Sequence, residues 1–257
     1  MRAILMLHSV DPSGSAISLT EAELRGLLRA VRSAQHDIVP LATLLAEPTH
    51  NAGNAVALTF DDGMASLGEV AAPLLREEGA TATLFLTTAF VGRDNHWPSQ
   101  PASAPRLPML DWGGVESLHD AGWQIESHTR THPDLRTLSA DELAEELESP
   151  QQEIERRLGR ASRSFAYPYG FLDATVVDAV SARYDCAVTT RMAALASDPQ
   201  AAIDPLMLPR LDTYYLRDER LQGSLASFGG FGGPAFRGWV ALRGALRRWR
   251  GHPGEHA

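Results

Sequence analysis

The chain has 257 residues, a mass of 27.9 kDa, 44% hydrophobic and 21% charged residues, and a formal charge of −9. That is one large domain or two small ones, with enough apolar side chains to bury a core without covalent staples. The single cysteine, Cys186, excludes an internal disulfide framework and cysteine-rich metal centres; the 23 basic residues are all arginine, which removes Schiff-base lysine chemistry and the lysine of a P-loop, and the acidic balance argues against general affinity for nucleic acid.

Strand-like and helix-like patterns alternate along the chain. Residues 3–7 read as a strand, and residues 20–35 as a helix with a Thr20/Glu23 capping box and Leu24, Leu27, Leu28 and Val31 on one face. A strand at 55–60, a helix at 66–78 and a strand at 81–87 follow, then a Pro/Ser-rich loop at 92–108 and a helix at 111–120 capped by Asp111. A short strand at 123–126 leads to a long helix at 139–158, with Ser139/Glu142 as a second capping box and Leu143, Leu147, Ile154 and Leu158 facing inward. A strand at 164–167, a helix at 173–183 and a strand at 186–189 complete the series. Repeated strand–helix units predict a parallel α/β sheet or barrel. His36 and His119 read as surface residues, and Cys186 as a buried, inert thiol. No apolar run is long enough to span a membrane, and 4–7 is too short for a signal peptide, so a cytoplasmic protein is expected.

The C-terminal stretch differs. Residues 222–234 are a Gly/Ser-rich linker, after which Trp239, Leu242, Leu246 and Trp249 recur at helical spacing with Arg243, Arg247 and Arg250 on another face. Two readings stand side by side: a basic amphipathic helix in peripheral contact with a membrane, or a helix docking its Trp face on the domain. The expected division is a catalytic domain at 1–221 and a linker plus helix at 222–257; nothing indicates the oligomeric state.

Three motifs sit at strand ends, where parallel α/β folds place ligand sites. Thr59-Phe60-Asp61-Asp62-Gly63 offers two carboxylates that alternate across a regular strand unless the chain turns at its end. His128-Thr129-Arg130-Thr131-His132-Pro133 carries two histidines four apart, a spacing that a helical turn brings to one side. One carboxylate and two imidazoles with an open position make a catalytic zinc arrangement. Phe165-Ala166-Tyr167-Pro168-Tyr169-Gly170 reads as a groove wall or as an aromatic turn. His8 ends the first strand, and Trp97 lies on the long loop after a strand, where it reads either as a sugar-stacking ring or as packing over the barrel mouth.

In order and spacing, these motifs resemble the polysaccharide deacetylase family, the NodB-homology domain of carbohydrate esterase family 4, over residues 3–212, most of the chain. Leu7-His8-Ser9-Val10, Met109-Leu110-Asp111-Trp112 and Leu208-Pro209-Arg210-Leu211 fit as weaker signatures. The resemblance implies a distorted (β/α) barrel of about seven parallel strands and a divalent metal, usually Zn2+, with Co2+ or Ni2+ as alternatives. It implies release of acetate from an N-acetylated sugar or glycan, in glycan or exopolysaccharide synthesis. It makes Asp62, His128 and His132 the metal ligands and Asp61 the general base, with the Tyr169 N–H on the oxyanion and Tyr167, Pro168, Trp97 and His8 around the substrate. A non-sugar amidase of the same fold and a metal-holding carbohydrate-binding protein with little turnover are the rival expectations.

Two positions depart from the family pattern. Ala166 stands where members often have arginine, and Leu208-Pro209-Arg210-Leu211-Asp212 replaces a Leu-x-His motif whose histidine protonates the leaving amine. Arg210 is expected to orient Asp61 in place of the missing arginine, with Asp61 moving both protons and His8 as the reserve acid.

Overall fold

The structure, a computed structural model, describes residues 2–46, 54–101, 104–195 and 204–217, with Gly238 and Leu242 beyond them. The expected linker and the side chains expected to face a membrane or the domain, Leu242 apart, lie outside the described residues. In chain order the elements are β1 (Arg2–Leu7), β2 (Ser9–Val10), β3 (Ser18–Leu19), α1 (Glu21–Ser33), β4 (Asp37–Ile38), α2 (Leu41–Ala46), β5 (Ala55–Asp62), α3 (Ala72–Glu77) and β6 (Thr83–Leu86). Then come α4 (Trp112–Asp120), β7 (Gln124–Ser127), α5 (Ala140–Leu158), β8 (Ser164–Ala166), α6 (Ala174–Ser181), β9 (Cys186–Val188) and β10 (Leu211–Asp212).

Seven strands curl into a barrel-like parallel sheet in the order β10-β1-β5-β6-β7-β8-β9, and β4 pairs with the start of β5. One short stretch of chain spans the gap between the outer strands. Leu208 bridges Val188 of β9, with Leu208 N donating to Ala187 O at 3.0 Å, while Leu211 of β10 pairs with Leu5 of β1. Residues 208–212 therefore tie the two edges together, which satisfies edge groups that a parallel sheet leaves open.

Side-chain alternation sorts the strands into an inner and an outer face. Ile4, Ala55, Ala57, Phe85, Ala166, Val188 and Leu208 form one buried cluster; Leu5, Leu7, Val56, Leu58, Phe60, Leu84, Leu86, Ile125 and Leu211 belong to another, with residues of α1, α3 and α4. The β5 sequence Ala-Val-Ala-Leu-Thr-Phe carries this in plain view: small residues face the crowded interior, large ones the helices. On β8 the same alternation sends Phe165 and Tyr167 outward against Leu143, Leu147, Val176 and Val180. Tyr167 is 1% exposed there, so its expected place beside the substrate is corrected: it belongs to the helix-facing core.

The capping boxes of α1 and α5 are present as expected, and Asp111 caps α4 through Gly114 N. The expected helix at 66–78 divides: Leu67–Ala71 winds as a π-helix before α3 begins. Pro73 explains the break, since it has no N–H for the helical ladder and its ring crowds the preceding turn. His36, expected at the surface, is 3% exposed, with Nδ1 2.9 Å from Ala34 O. Among the described residues, no helix is long and apolar enough to cross a membrane.

Leu211 is fully buried in the closing strand. Leu211→Ala is expected to cost about 2–5 kcal/mol, read as a lower urea midpoint with an unchanged slope; a loss below about 1 kcal/mol would show that the closing strand contributes little to the barrel.

Candidate active site

The chemistry-bearing side chains gather at the C-terminal ends of the strands. Asp61 falls on the inner face of β5, in step with Ala55, Ala57 and Thr59. Asp62 would point away in a regular strand, but it adopts φ 74, and Gly63 follows at φ 109. A left-handed conformation at a non-glycine residue costs on the order of 1–3 kcal/mol. Here the turn is pinned by Thr87 N donating to Asp62 O at 3.1 Å and Leu110 N donating to Gly63 O at 2.9 Å. The outcome is two adjacent carboxylates serving one site.

The histidines meet Asp62 by a route other than the helical turn that their spacing predicts. His128 continues the inner face of β7; the chain then passes through Thr129 at φ 67 and reaches His132 at φ 59. Nε2 of each ring lies 3.5 Å from Asp62 Oδ1. The ligand atoms of Asp62, His128 and His132 all fall within 4.8 Å of one another, and all three residues are buried. His128 Nδ1 lies 2.7 Å from Ala166 O, which makes Nδ1 the protonated nitrogen and leaves the Nε2 lone pair facing Asp62. Asp62 Oδ1 is a buried oxygen with no hydrogen-bond donor among the described residues. Three converging lone-pair donors with such an oxygen among them fit a divalent cation.

Electrostatics support that fit. Burial, and then the negative charge of Asp61, push Asp62 well above the usual carboxylate range, while Arg210 pulls it down. Burial lowers both imidazoles, His132 furthest, His128 also pressing on it, so both rings are neutral near pH 7. A site of neutral imidazoles and a reluctant carboxylate is relieved by a positive ion.

Asp61 is different because Arg210 holds it. The guanidinium donates from Nη1 to Oδ1 and from Nη2 to Oδ2, both at 2.7 Å. Its Nε donates to Thr189 O at 3.0 Å and Nη1 also reaches Thr59 Oγ1 at 3.2 Å, whose hydroxyl donates to Leu5 O at 2.9 Å. Arg210 is 1% exposed, and Phe85 lies 5.9 Å below its Cζ. Burial pushes the Asp61 carboxyl up, but the charge and two hydrogen bonds of Arg210 overrule it and leave it at about 2. Asp61 thus stays ionised while Asp62, one residue away, resists ionisation.

A wall closes the site. Tyr169 follows Pro168 with φ 59 and ψ 0, and its ring meets His132 edge-on at 4.5 Å. Trp97 stacks on His132 at 4.4 Å and donates from Nε1 to the Tyr169 hydroxyl at 3.1 Å; that hydroxyl bonds Ser99, and Ser99 Oγ donates to His132 O. Trp97 is 3% exposed, so its ring face is spent on His132, leaving none for a sugar. Pro168 is buried beneath the turn. His8 stands half-buried at the end of β1, where burial lowers its pKa, with Asp61 and Asp212 pulling it up. The sequence reading missed Ser99 and Glu146. Glu146 is 7% exposed on the inward stripe of α5 between Leu143 and Leu147, and a charged residue at an apolar position was the available signal.

Comparison with known proteins agrees with this geometry. The model of the family described as polysaccharide deacetylase matches residues 49–185. A chitin deacetylase of Pestalotiopsis sp is 31% identical over 132 residues, 51% of this chain and 39% of its own length. A poly-beta-1,6-N-acetyl-D-glucosamine N-deacetylase of Staphylococcus aureus is 24% identical over 131 residues, 46% of this chain and 41% of its own. The chain spans between 22% and 66% of the length of the first curated relatives it matches. Among solved structures, the polysaccharide deacetylase BC0361 from Bacillus cereus superposes with a TM-score of 0.72 at 20% identity, covering 88% of this chain and 68% of that one. Two carboxylates and two histidines at the mouth of a seven-stranded parallel barrel, within a stretch that the family model matches over more than half the chain, mark this protein as a member of the polysaccharide deacetylase family.

Proposed function

We propose that the chain hydrolyses N-acetyl groups of an amino-sugar glycan, releasing acetate and a free amine. The observation that carries this reading is the contrast between Asp61, ionised beside Arg210, and the Asp62–His128–His132 cluster next to it. The deacetylase relatives named for chitin and for poly-beta-1,6-N-acetyl-D-glucosamine support a polymer of N-acetylglucosamine as the substrate class. A divalent ion such as Zn2+, held by Asp62, His128 and His132, would supply Lewis-acid stabilisation of negative charge and a lowered pKa for water.

The side chains divide the remaining work. Asp61 takes the proton from the attacking water, and Arg210 fixes the plane of the carboxylate by bonding both oxygens, each of which keeps a further lone pair. The Tyr169 N–H, in a turn that its left-handed φ re-aims, donates to the oxyanion of the tetrahedral intermediate. Expulsion of the amine needs a proton. An Asp61 carboxyl with a pKa of about 2 is a weak base but a ready acid, so the proton it has gained is delivered onward to nitrogen. His8 is neutral near pH 7 because burial lowers it, and both Nη atoms of Arg210 are committed to the Asp61 oxygens. Asp61 therefore serves both transfers.

Metal-free protein titrated with Zn2+ is expected to take up about one equivalent, and His132→Ala to lose it. Affinity is expected to rise with pH, because the histidines are already neutral and Asp62, raised by burial, is the group that must give up its proton. Full uptake by both His128→Ala and His132→Ala would exclude the cluster as the site.

Asp61→Asn is expected to retain metal and lose roughly two to four orders of magnitude in acetate release from N-acetylglucosamine oligomers. Arg210→Ala is expected to retain metal, cut turnover and move the acid limb of the rate profile to higher pH, since the cation that depresses Asp61 is gone. His8→Ala is expected to cost little; loss of its high-pH limb would make His8 the acid. Metal uptake without acetate release from oligomers or non-sugar amides would favour a binding protein, and release from the amides alone would favour an amidase.

A further inference from the structure

The two histidines of the cluster are held in different ways. His128 is oriented through its own ring, Nδ1 against Ala166 O, the usual device for a metal-binding imidazole. His132 Nδ1 is buried with no hydrogen-bond partner among the described residues. Its orientation therefore comes from the ring stack above it and from the path of its main chain, and that path runs through Thr129, a β-branched residue at φ 67, to His132 at φ 59. Such conformations persist only where neighbours over-determine them.

The neighbour on the helix side is Glu146. Its Oε2 accepts from Arg130 N at 2.9 Å and Thr131 N at 2.7 Å, and its Oε1 accepts from Thr131 Oγ1 at 2.5 Å. Consecutive N–H groups beside a left-handed residue form a concavity suited to an anion, and here the anion is internal. From the other side, Thr88 N and Ala89 N donate to Thr129 O and Arg130 O, and His132 N donates to Thr129 Oγ1 at 2.9 Å. Remove the carboxylate and the N–H groups of Arg130 and Thr131 lose their acceptor in the loop that carries His132. Glu145, one residue earlier, faces solvent and only approaches Arg130 at 3.6 Å.

We infer that Glu146 is a positioning residue for metal binding: it holds the 129–131 turn in the strained form that points His132 Nε2 at Asp62. The inference rests on the metal-site reading above. Glutamine preserves the arrangement in part, since its carbonyl accepts both N–H groups and its amide donates to Thr131 Oγ1. The relevant comparison is wild type with Glu146→Ala, Glu146→Gln, Glu146→Asp and the control Glu145→Ala. Zn2+ affinity is measured by chelator competition, the ligand field by visible absorption of the Co2+-loaded protein, and the fold by urea unfolding of the metal-free protein. Uptake by wild type tests the site itself; differences among folded variants test Glu146. Glu146→Ala is expected to lower affinity about 10–100-fold and to change the Co2+ bands, Glu146→Gln to recover most of the affinity, and Glu145→Ala to match wild type. If Glu146→Ala lowers only the urea midpoint and keeps affinity and bands, Glu146 is merely structural and the inference fails. Should Glu146→Ala not fold, Glu146→Asp withdraws the oxygens by one methylene: weaker binding supports the inference, and wild-type binding overturns it.

Discussion

A buried ion pair organises this molecule. Arg210 and Asp61 meet inside the barrel through two 2.7 Å hydrogen bonds with almost no exposure to water. Such pairs are poor sources of net stability, because desolvating both ions costs about what their attraction returns, yet removing one partner strands the other at a cost of about 3–5 kcal/mol. The surroundings reflect that constraint. Thr59, Thr189 O and the Phe85 face answer what remains of the guanidinium. Arg210 N also bonds Arg191 O, one residue before β10 begins, so the stretch that joins the sheet edges is the stretch that brings the cation in.

Around that pair, the site is made by backbone exceptions. Asp62, Thr129, His132 and Tyr169 are four of the five non-glycine residues with positive φ among the described residues. Regular strands deliver side chains alternately to two faces, and regular turns deliver them to one side of a helix; neither brings two neighbouring carboxylates and two loop histidines to one point. Left-handed residues do, and the hydrogen bonds of Gly63, Thr87, Ser99 and Glu146 hold them there. Strain is thus concentrated where the chemistry is proposed, and rigidity in the adjoining helices and loop sustains it.

The distribution of information along the sequence follows from this. The strands and helices were legible because period-2 and period-3.6 patterns and two capping boxes are local signals. The Asp61–Asp62 and His128–His132 motifs were legible because they fall at strand ends. Their joining was legible only as chemistry: the four-residue histidine spacing predicts a helical turn, and the real path depends on Glu146, which lies on a different element. Tyr167 read as a site residue from its motif, whereas one step of alternation on β8 places it in the outer core. Trp97 offered two readings, and the partner that separates them, His132, lies 35 positions away in sequence, beyond any local pattern. The short β10 has too few residues for a periodic signal, and only its register with Leu5 reveals it as a strand.

The closing stretch also has a consequence for the life history of the chain. Asp61 and Arg210 are 149 positions apart, so on a ribosome the carboxylate emerges long before the guanidinium that pairs with it. Burial alone pushes the Asp61 carboxyl toward its neutral form, and contacts of such long separation form late in folding. Until residues 208–212 join β9 to β1, the chain presents an open sheet with its proposed base unpartnered. Closing the sheet and pairing Asp61 with its cation are therefore a single event.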